Sequence, residues 1–159
     1  AHPPPLLENG FRRVTSLVEV GVDIIEIERI EKAAQRRRFL ERIYTEAEIA
    51  YSQSKAKPSQ HLAGFFAAKE AVIKCLGRMV PWHDIEVCHN DAGKPFVILR
   101  RRALELARGG RVSISISHCR SCAVAVAVLE TTAGRENASA QIESDGTADA
   151  GVGEIGELT

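Results

Sequence analysis

The chain has 159 residues, of which 45% are hydrophobic and 26% are charged. These values are ordinary for a globular protein, and the length allows one domain with a real core but not two sizeable ones. No stretch approaches the roughly 18–20 uncharged apolar residues that a membrane helix requires, and the opening residues lack the layout of a secretory signal. We therefore expect a cytoplasmic protein that does not associate with membranes.

The formal net charge of zero hides an asymmetry along the chain. Residues 131–159 carry six acids and one base, a net charge of −5, so residues 1–130 carry +5. A basic folded part suits polyanionic partners such as a nucleotide, a nucleic acid or an acidic protein, although a slightly basic surface alone would give the same count. Composition predicts a flexible leader over residues 1–15, a folded domain over residues 16–130 and a disordered acidic tail over residues 131–159.

The folded part is predicted to open with a strand followed by a helix. A row of aliphatic residues alternates with more polar ones, which is the two-residue period of a half-buried strand. This row consists of Val18, Val20, Val22 and Ile24. The helix that follows would turn four residues inward, Ile27, Ile30, Ala33 and Ala34, and a basic run over residues 36–38 comes after it.

Two more helices are predicted before the middle of the chain. Thr45 and Glu48 have the spacing of a capping box, so a short helix should begin at Thr45. Pro58 and Ser59 introduce a longer helix that ends at Gly77, because proline and serine favour a helix start and glycine favours its end.

The second half is richer in strands. Strands are predicted over residues 84–88 and 95–99, joined by a hairpin-like turn, and over residues 111–117 and 123–129. A short helix is predicted over residues 100–107, ahead of a pair of glycines. Long helices first and adjacent strands later predict an α+β fold in which a mainly antiparallel sheet packs with a long helix.

The long helix carries three charged residues beside its apolar face. Six apolar residues fall on one arc at 100° per residue, namely Leu62, Phe65, Phe66, Val72, Ile73 and Leu76. Lys69 projects into the middle of this arc, and Glu70 and Lys74 lie along its edge. Glu70 and Lys74 could be an ion pair on a solvated flank with Lys69 extending to water, or the three charges could bind a ligand.

Two shorter segments carry further candidate residues. Asp23 ends the first strand, where it is either a turn or cap residue or one of a pair of carboxylates for Mg²⁺, with Glu70 as the partner if strand and helix pack together. Ser115 and Ser117 share one face of a later strand and His118 follows at its exit. This segment is either an ordinary polar strand edge or part of a site, and it lacks the elbow of a serine hydrolase.

Cysteine usage is that of a reducing compartment. The default for the four cysteines, Cys75, Cys88, Cys119 and Cys122, is a free thiol. Cys119 and Cys122 could also form a zinc or redox pair, but structural zinc usually needs a second ligand pair at a defined spacing.

Several motifs occur in one order along the chain. A strand motif G-[IV]-D-[IL] with a later Arg is matched by residues 21–24 and Arg29, and [FW]-x-x-K-E-A-x-x-K with a later Gly is matched by residues 66–74 and Gly77. A G-K-P turn at residues 93–95 and Ser-Ile-Ser-His at residues 115–118 follow. Over residues 20–130 the chain resembles the holo-[acyl-carrier-protein] synthase family of 4′-phosphopantetheinyl transferases.

This resemblance implies the family fold and a homotrimer with active sites between subunits. It also implies Mg²⁺-dependent transfer of 4′-phosphopantetheine from coenzyme A to a serine of apo acyl carrier protein. The products would be holo acyl carrier protein and adenosine 3′,5′-bisphosphate, and the pathway would be fatty acid biosynthesis.

The resemblance also assigns roles to residues. Asp23 and Glu70 would hold Mg²⁺, Lys74 would neutralise charge on the phosphates, and Glu70 would be the base for the carrier serine. The coenzyme A site would include Lys69, Lys74, Gly77, Ser117 and His118. The residues that meet the acidic carrier protein would be Arg29, Arg36, Arg37 and Arg38.

The chain departs from the family pattern at two places. Phe65 stands where the family often has Arg, and residues 119–122 replace a segment that often contains Thr, Lys, Glu and an aromatic residue. Two other classes of protein also stay open: a metal-dependent nuclease, which would show salt-dependent DNA binding, and a catalytically silent carrier-binding or zinc module, which would hold stoichiometric zinc.

Overall fold

A computed structural model describes residues 16–132. Its strands and helices follow one another as β1 (Ser16–Glu26), α1 (Ile27–Ala34), α2 (Arg37–Ile43), α3 (Glu46–Gln53), α4 (Pro58–Leu76), β2 (Ile85–His89), β3 (Pro95–Leu99), α5 (Arg101–Ala107), β4 (Arg111–His118) and β5 (Cys122–Thr132). A single 3-10 turn, Trp82–Asp84, precedes β2. None of the described helices combines the length and apolar character needed to cross a membrane.

The strands form two antiparallel sheets. β5 lies between β1 and β4 in a three-stranded sheet, and β2 pairs with β3 in a separate hairpin. Asp23 of β1 is opposite Ala125 of β5, which in turn is opposite Ile116 of β4. The predicted α+β class with a mainly antiparallel sheet is confirmed.

The core lies between α4 and the three-stranded sheet. α4 buries a row of alanines in addition to its larger apolar residues, so its backbone approaches the strands closely. Gly21 of β1 is the closest point, because a Cβ atom there would lie 1.9 Å from the carbonyl oxygen of Ala71. Glycine is therefore required at this crossing, which sets Asp23 of β1 beside the charged edge of α4.

The buried face of β1 is the opposite of the one that its aliphatic row suggests. Gly21 and Ile25 are buried against α4, whereas the four aliphatic residues of the alternating row are 53–65% exposed. Their side chains share the outer face of the sheet with the valines of β5. We call this surface the valine face: Val18, Val20, Val22, Ile24, Val124, Val126 and Val128. A side chain has no room at Gly21, where the α4 backbone lies against β1, whereas Ile25 is accommodated further along the same inner face.

The helix termini follow the predicted signals. Thr45 and Glu48 form the capping box, with Thr45 N–H donating to Glu48 at 2.9 Å and Glu48 N–H donating to Thr45 at 3.3 Å. Gly77 ends α4 with φ +69°, a left-handed conformation that glycine adopts without strain. Both predictions are confirmed.

Two parts of the chain differ from the prediction. The basic run leads into a helix, α2, that the sequence did not predict; it is anchored by buried Ile43 and by Tyr44, whose hydroxyl donates to Leu62 O at 3.0 Å. β5 also continues to Thr132, pairing its last two residues with the start of β1, so the strand includes residues 131 and 132 of the predicted tail. The predicted leader and the rest of the tail lie outside the described residues.

Candidate active site

The end of β1 and the middle of α4 form one side of a cleft of about 380 Å³. We call it the carboxylate cleft, because Asp23 and Glu70 both line it. Its other lining residues are Ile24, Ile25, Arg29, Ile30, Ala33, Phe39 and Phe66. The condition that the sequence left open, that strand and helix pack together, is met.

Charges in this cleft are close enough to perturb one another. Lys74 Nζ lies 3.0 Å from Asp23 Oδ1 and donates to Val22 O at 2.7 Å. Burial raises the pKa of the Glu70 carboxyl, the negative charge of Asp23 raises it further, and Lys74 partly opposes both effects. Two carboxylates that repel each other in a partly buried cleft would be stabilised by a cation between them.

The donor set of the cleft fits Mg²⁺. Mg²⁺ is commonly held by one or two carboxylates and completes its octahedral shell with waters and substrate phosphates. Within residues 16–132 no group of three or more His, Cys, Asp and Glu side chains is placed to hold a metal ion by itself. Two carboxylates would leave the other positions of an octahedral shell to waters or phosphate oxygens.

Lys69 has a different environment from the one predicted. Its side chain is fully buried, and its ammonium group forms an ion pair with Glu48 at 2.7 Å. It also donates to the carbonyl oxygens of Ile43 at 2.8 Å and Trp82 at 3.2 Å, so all three N–H groups have partners. The predicted coenzyme A contact of Lys69 does not fit this geometry, because the group has neither exposure nor a spare donor.

Glu48 is the residue that sequence reasoning missed. It is fully buried, and its second oxygen accepts the N–H of Val87 at 2.7 Å. Glu48 thus joins α3, α4 and the β2–β3 hairpin around Lys69. The available signal was the capping box, which identified Glu48 as a capping residue but gave no reason to bury it.

His118 lies in a second cleft at the other end of α4. This cleft, of about 520 Å³, is called the histidine cleft, and its lining includes Lys57, Gln60, His118, Cys119 and Arg120. Gln60 Nε2 and His118 Nδ1 are 2.9 Å apart. Gln60 and Glu70 are ten residues apart on α4, about 15 Å along its axis. The two clefts share no lining residue, although residues of α1 line both of them.

The remaining predicted residues of the coenzyme A site are also dispersed. Ser117 precedes His118 on β4, so its side chain points to the outer face of the sheet, opposite Val124. Gly77 lies just beyond the last turn of α4. Within one chain only Lys74 of this group lies beside Asp23 and Glu70.

The arginine run forms a basic surface beside the carboxylate cleft. Arg36, Arg38, Phe39 and Arg42 line a depression of about 540 Å³, and Phe39 also lines the carboxylate cleft. Arg37 instead forms an exposed ion pair with Glu41 at 2.6 Å. Arg29 lies apart from the run, in the carboxylate cleft itself. Arg42 was not predicted, because α2, which brings it next to Arg38, was not predicted.

Comparison with known proteins identifies the family of the chain. Residues 19–127 match the family model described as the 4′-phosphopantetheinyl transferase superfamily, and the chain belongs to this family.

Among curated relatives, the holo-[acyl-carrier-protein] synthase of Moorella thermoacetica is 44% identical over 76% of this chain and 99% of its own. The enzyme of the same name from Chlorobaculum tepidum is 47% identical over 71% of this chain and 98% of its own.

Solved structures of the same family share the fold. The holo-(acyl-carrier-protein) synthase of Bacillus anthracis, in complex with CoA (3′,5′-ADP), aligns with a TM-score of 0.63 and 39% identity over 74% of this chain and 99% of its own. The Helicobacter pylori holo-[acyl-carrier-protein] synthase in complex with coenzyme A aligns with a TM-score of 0.63 and 34% identity over 69% of this chain and 98% of its own.

Proposed function

We propose that this chain transfers 4′-phosphopantetheine from coenzyme A to a serine of apo acyl carrier protein, releasing adenosine 3′,5′-bisphosphate. The observation that carries the proposal is the carboxylate cleft, lined by Asp23 and Glu70 with Lys74 paired to Asp23, in a chain 44% identical to a holo-[acyl-carrier-protein] synthase. Phosphoryl transfer depends mainly on alignment and on neutralising charge, which is the chemistry that these residues offer.

Each residue has a defined task in this mechanism. Asp23 and Glu70 would hold Mg²⁺, which when bound offsets the negative charge of the coenzyme A pyrophosphate. Lys74, half exposed beside Asp23, would donate to the phosphate oxygens as the phosphoanhydride bond breaks. Glu70 would accept the proton of the carrier serine, directly or through a water, as the serine oxygen attacks the phosphorus atom.

The distribution of the predicted residues favours a homotrimer with sites between subunits. His118 and Ser117 would serve the nucleotide of a coenzyme A whose pyrophosphate lies at the carboxylate cleft of another copy, since Gln60, the partner of His118, stands about 15 Å from Glu70 along α4. Pairing of subunits through the valine face would remove its exposed aliphatic side chains from water. Gly77, at the end of α4, would lie near the same nucleotide.

The basic surface would receive the carrier protein. Arg36 and Arg38 line a depression next to the cleft, Arg37 is exposed, and Arg29 lies inside the cleft, so an acidic helix docked here would bring its serine to Glu70. Such charge pairing would raise the association rate and weaken with salt. We place the reaction in the cytoplasm, with residues 1–15 and 133–159 as segments outside the catalytic domain.

The test is intact-protein mass spectrometry of apo acyl carrier protein incubated with this protein, coenzyme A and Mg²⁺. The expected result is a gain of one phosphopantetheine mass that disappears when EDTA is present. No gain across several carrier proteins, with the protein folded, would refute the proposed function. A gain that persists in EDTA would refute the role of Mg²⁺ while leaving the transfer in place.

A further inference from the structure

The turn between β4 and β5 holds two cysteines that the proposed function does not use. Cys119 N–H donates to Cys122 O at 2.9 Å, which closes the turn over Arg120 and Ser121. Cys122 N–H in turn points at Cys119 Sγ at 3.4 Å. The two residues flank a two-residue hairpin turn, so their side chains leave the same face of the ribbon.

Cys119 has the environment of a reactive thiol. It is exposed, it lines the histidine cleft beside Lys57 and Arg120, and Ser121 Oγ lies 3.6 Å from its sulfur. The hydrogen bond with the Ser121 side chain, followed by the backbone N–H groups of the turn, lowers the pKa of the Cys119 thiol to about 7. The thiolate, the nucleophilic form, is therefore more accessible at Cys119 than at an ordinary cysteine.

The other thiols of the described chain contrast with Cys119. Cys75 is buried, its sulfur donates to Ala127 O at 3.2 Å, and burial raises the pKa of its thiol. Burial, followed by the charges of Glu86 and Glu48, also raises the pKa of the Cys88 thiol. Oxidation should therefore be selective for the turn.

We propose that Cys119 and Cys122 form a redox-active dithiol across the β4–β5 turn, with Cys119, which lines the histidine cleft, as the attacking thiol and Cys122 as the resolving one. The oxidant is a low-molecular-weight disulfide, RSSR. Cys119 thiolate attacks one sulfur of RSSR, the S–S bond of the reagent breaks, and one RS⁻ leaves. Cys122 thiolate then attacks Cys119 Sγ and expels the second RS⁻, so two protein thiols are oxidised and one disulfide is reduced to two thiols.

The mixed disulfide on Cys119 would stand in the histidine cleft, beside His118 and Lys57. Its effect on catalysis rests on the proposed function, in which this cleft receives the nucleotide of coenzyme A. A bulky group on Cys119 would then raise the KM for coenzyme A and leave the chemistry at the carboxylate cleft unaffected.

The first experiment treats the full-length, native protein with glutathione disulfide and maps the products by intact mass and peptide mass spectrometry. The wild-type protein should lose two hydrogens and gain a Cys119–Cys122 cross-link. Cys122→Ser should instead retain one glutathione on Cys119, and Cys119→Ser should react at least about tenfold more slowly. Three results would each overturn the proposal. The first is modification of Cys75 or Cys88 before Cys119. The others are equal rates of reaction with glutathione disulfide for Cys119→Ser and wild type, and native protein that stays fully reduced after the treatment.

The second experiment compares the KM for coenzyme A of Cys122→Ser before and after glutathionylation. The KM should rise and should recover when dithiothreitol removes the adduct, while an identically treated Cys119→Ser shows no such change. An unchanged KM would overturn the effect on the histidine cleft. Absence of transfer in every form, reduced protein included, would count against the proposed function instead, and the mass spectra would still decide the thiol chemistry.

Discussion

The two ends of α4 support two clefts with different chemistry. Toward its C-terminal end, Glu70 and Lys74 lie beside Asp23, and the environment is strongly charged and partly buried. At its N-terminal end, Gln60 contacts His118 near an exposed cysteine turn. The first cleft lies beside the close backbone packing at Gly21, whereas the second is lined by α1, the start of α4, the loop before it and the end of β4. The carboxylate cleft therefore groups acidic and basic side chains, whereas the histidine cleft offers an imidazole, an amide and a thiol.

Removing one carboxylate from the carboxylate cleft should have the largest effect on transfer. We expect Asp23→Ala and Glu70→Gln each to lower kcat/KM for transfer by at least about a hundredfold, because neither variant retains both carboxylates for the metal and the phosphates. The mass assay above measures this loss, and thermal unfolding should show an intact fold. Glu19→Gln, on the same strand and away from the cleft, is the matched control. Near-normal transfer by either cleft variant would exclude the metal assignment.

Substitutions of the two lysines of α4 should have different effects, one on stability and the other on catalysis. Lys69→Met leaves the buried Glu48 carboxylate without its cation, so the free energy of unfolding should fall by about 3–5 kcal/mol. Lys74→Met removes an exposed group, so its stability should change little while kcat falls. Urea unfolding and transfer kinetics on both proteins measure the difference. Equal stability of Lys69→Met and wild type would contradict the structural role of the buried pair.

Substitutions on the basic surface should change the KM for the carrier protein without changing kcat. The double change Arg36→Gln with Arg38→Gln should raise the KM for the carrier protein by about tenfold, because each lost charge pair at a docking surface weakens association modestly. The kcat value at saturating carrier should be unchanged. Arg111→Gln, an exposed arginine on β4, is the control of equal charge type. If the turnover rate at low carrier concentration does not depend on ionic strength, charge pairing does not guide the docking of the carrier protein.

The smallest effect is the pH dependence that comes from Glu70. Its pKa is raised in the folded protein by burial and by Asp23, so folding favours the protonated form. The contribution of Glu70 to stability is therefore present at low pH and is lost as pH rises from its unfolded pKa through the raised folded value. Metal-free wild type should lose stability relative to Glu70→Gln over this pH range, as urea unfolding at several pH values would measure. A constant difference in the free energy of unfolding between the two proteins across this pH range would show that folding does not raise the pKa of Glu70.

Local signals in the sequence predicted most secondary structure. The capping box at Thr45, the left-handed Gly77 and the period of the strands depend on neighbouring residues, so they could be recognised without the fold. The helix α2 was not predicted from the sequence. The basic run over residues 36–38 drew attention to charge rather than to the helical spacing of Phe39, Leu40 and Ile43. The alternation in β1 predicted a half-buried strand but not that the face with Gly21 and Ile25 packs on α4, because periodicity identifies two faces but not which of them meets a helix.

The sequence by itself determined the class of fold, the family resemblance and the candidates Asp23, Glu70 and Lys74, since these rest on residue types at fixed spacings. Tertiary structure alone decided that Lys69 is enclosed by Glu48, that His118 lies at the far end of α4 from Glu70, and that Cys119 lines a cleft. These facts depend on contacts between residues distant in sequence. Such contacts follow from how closely α4 can approach the sheet at Gly21, which no local pattern encodes.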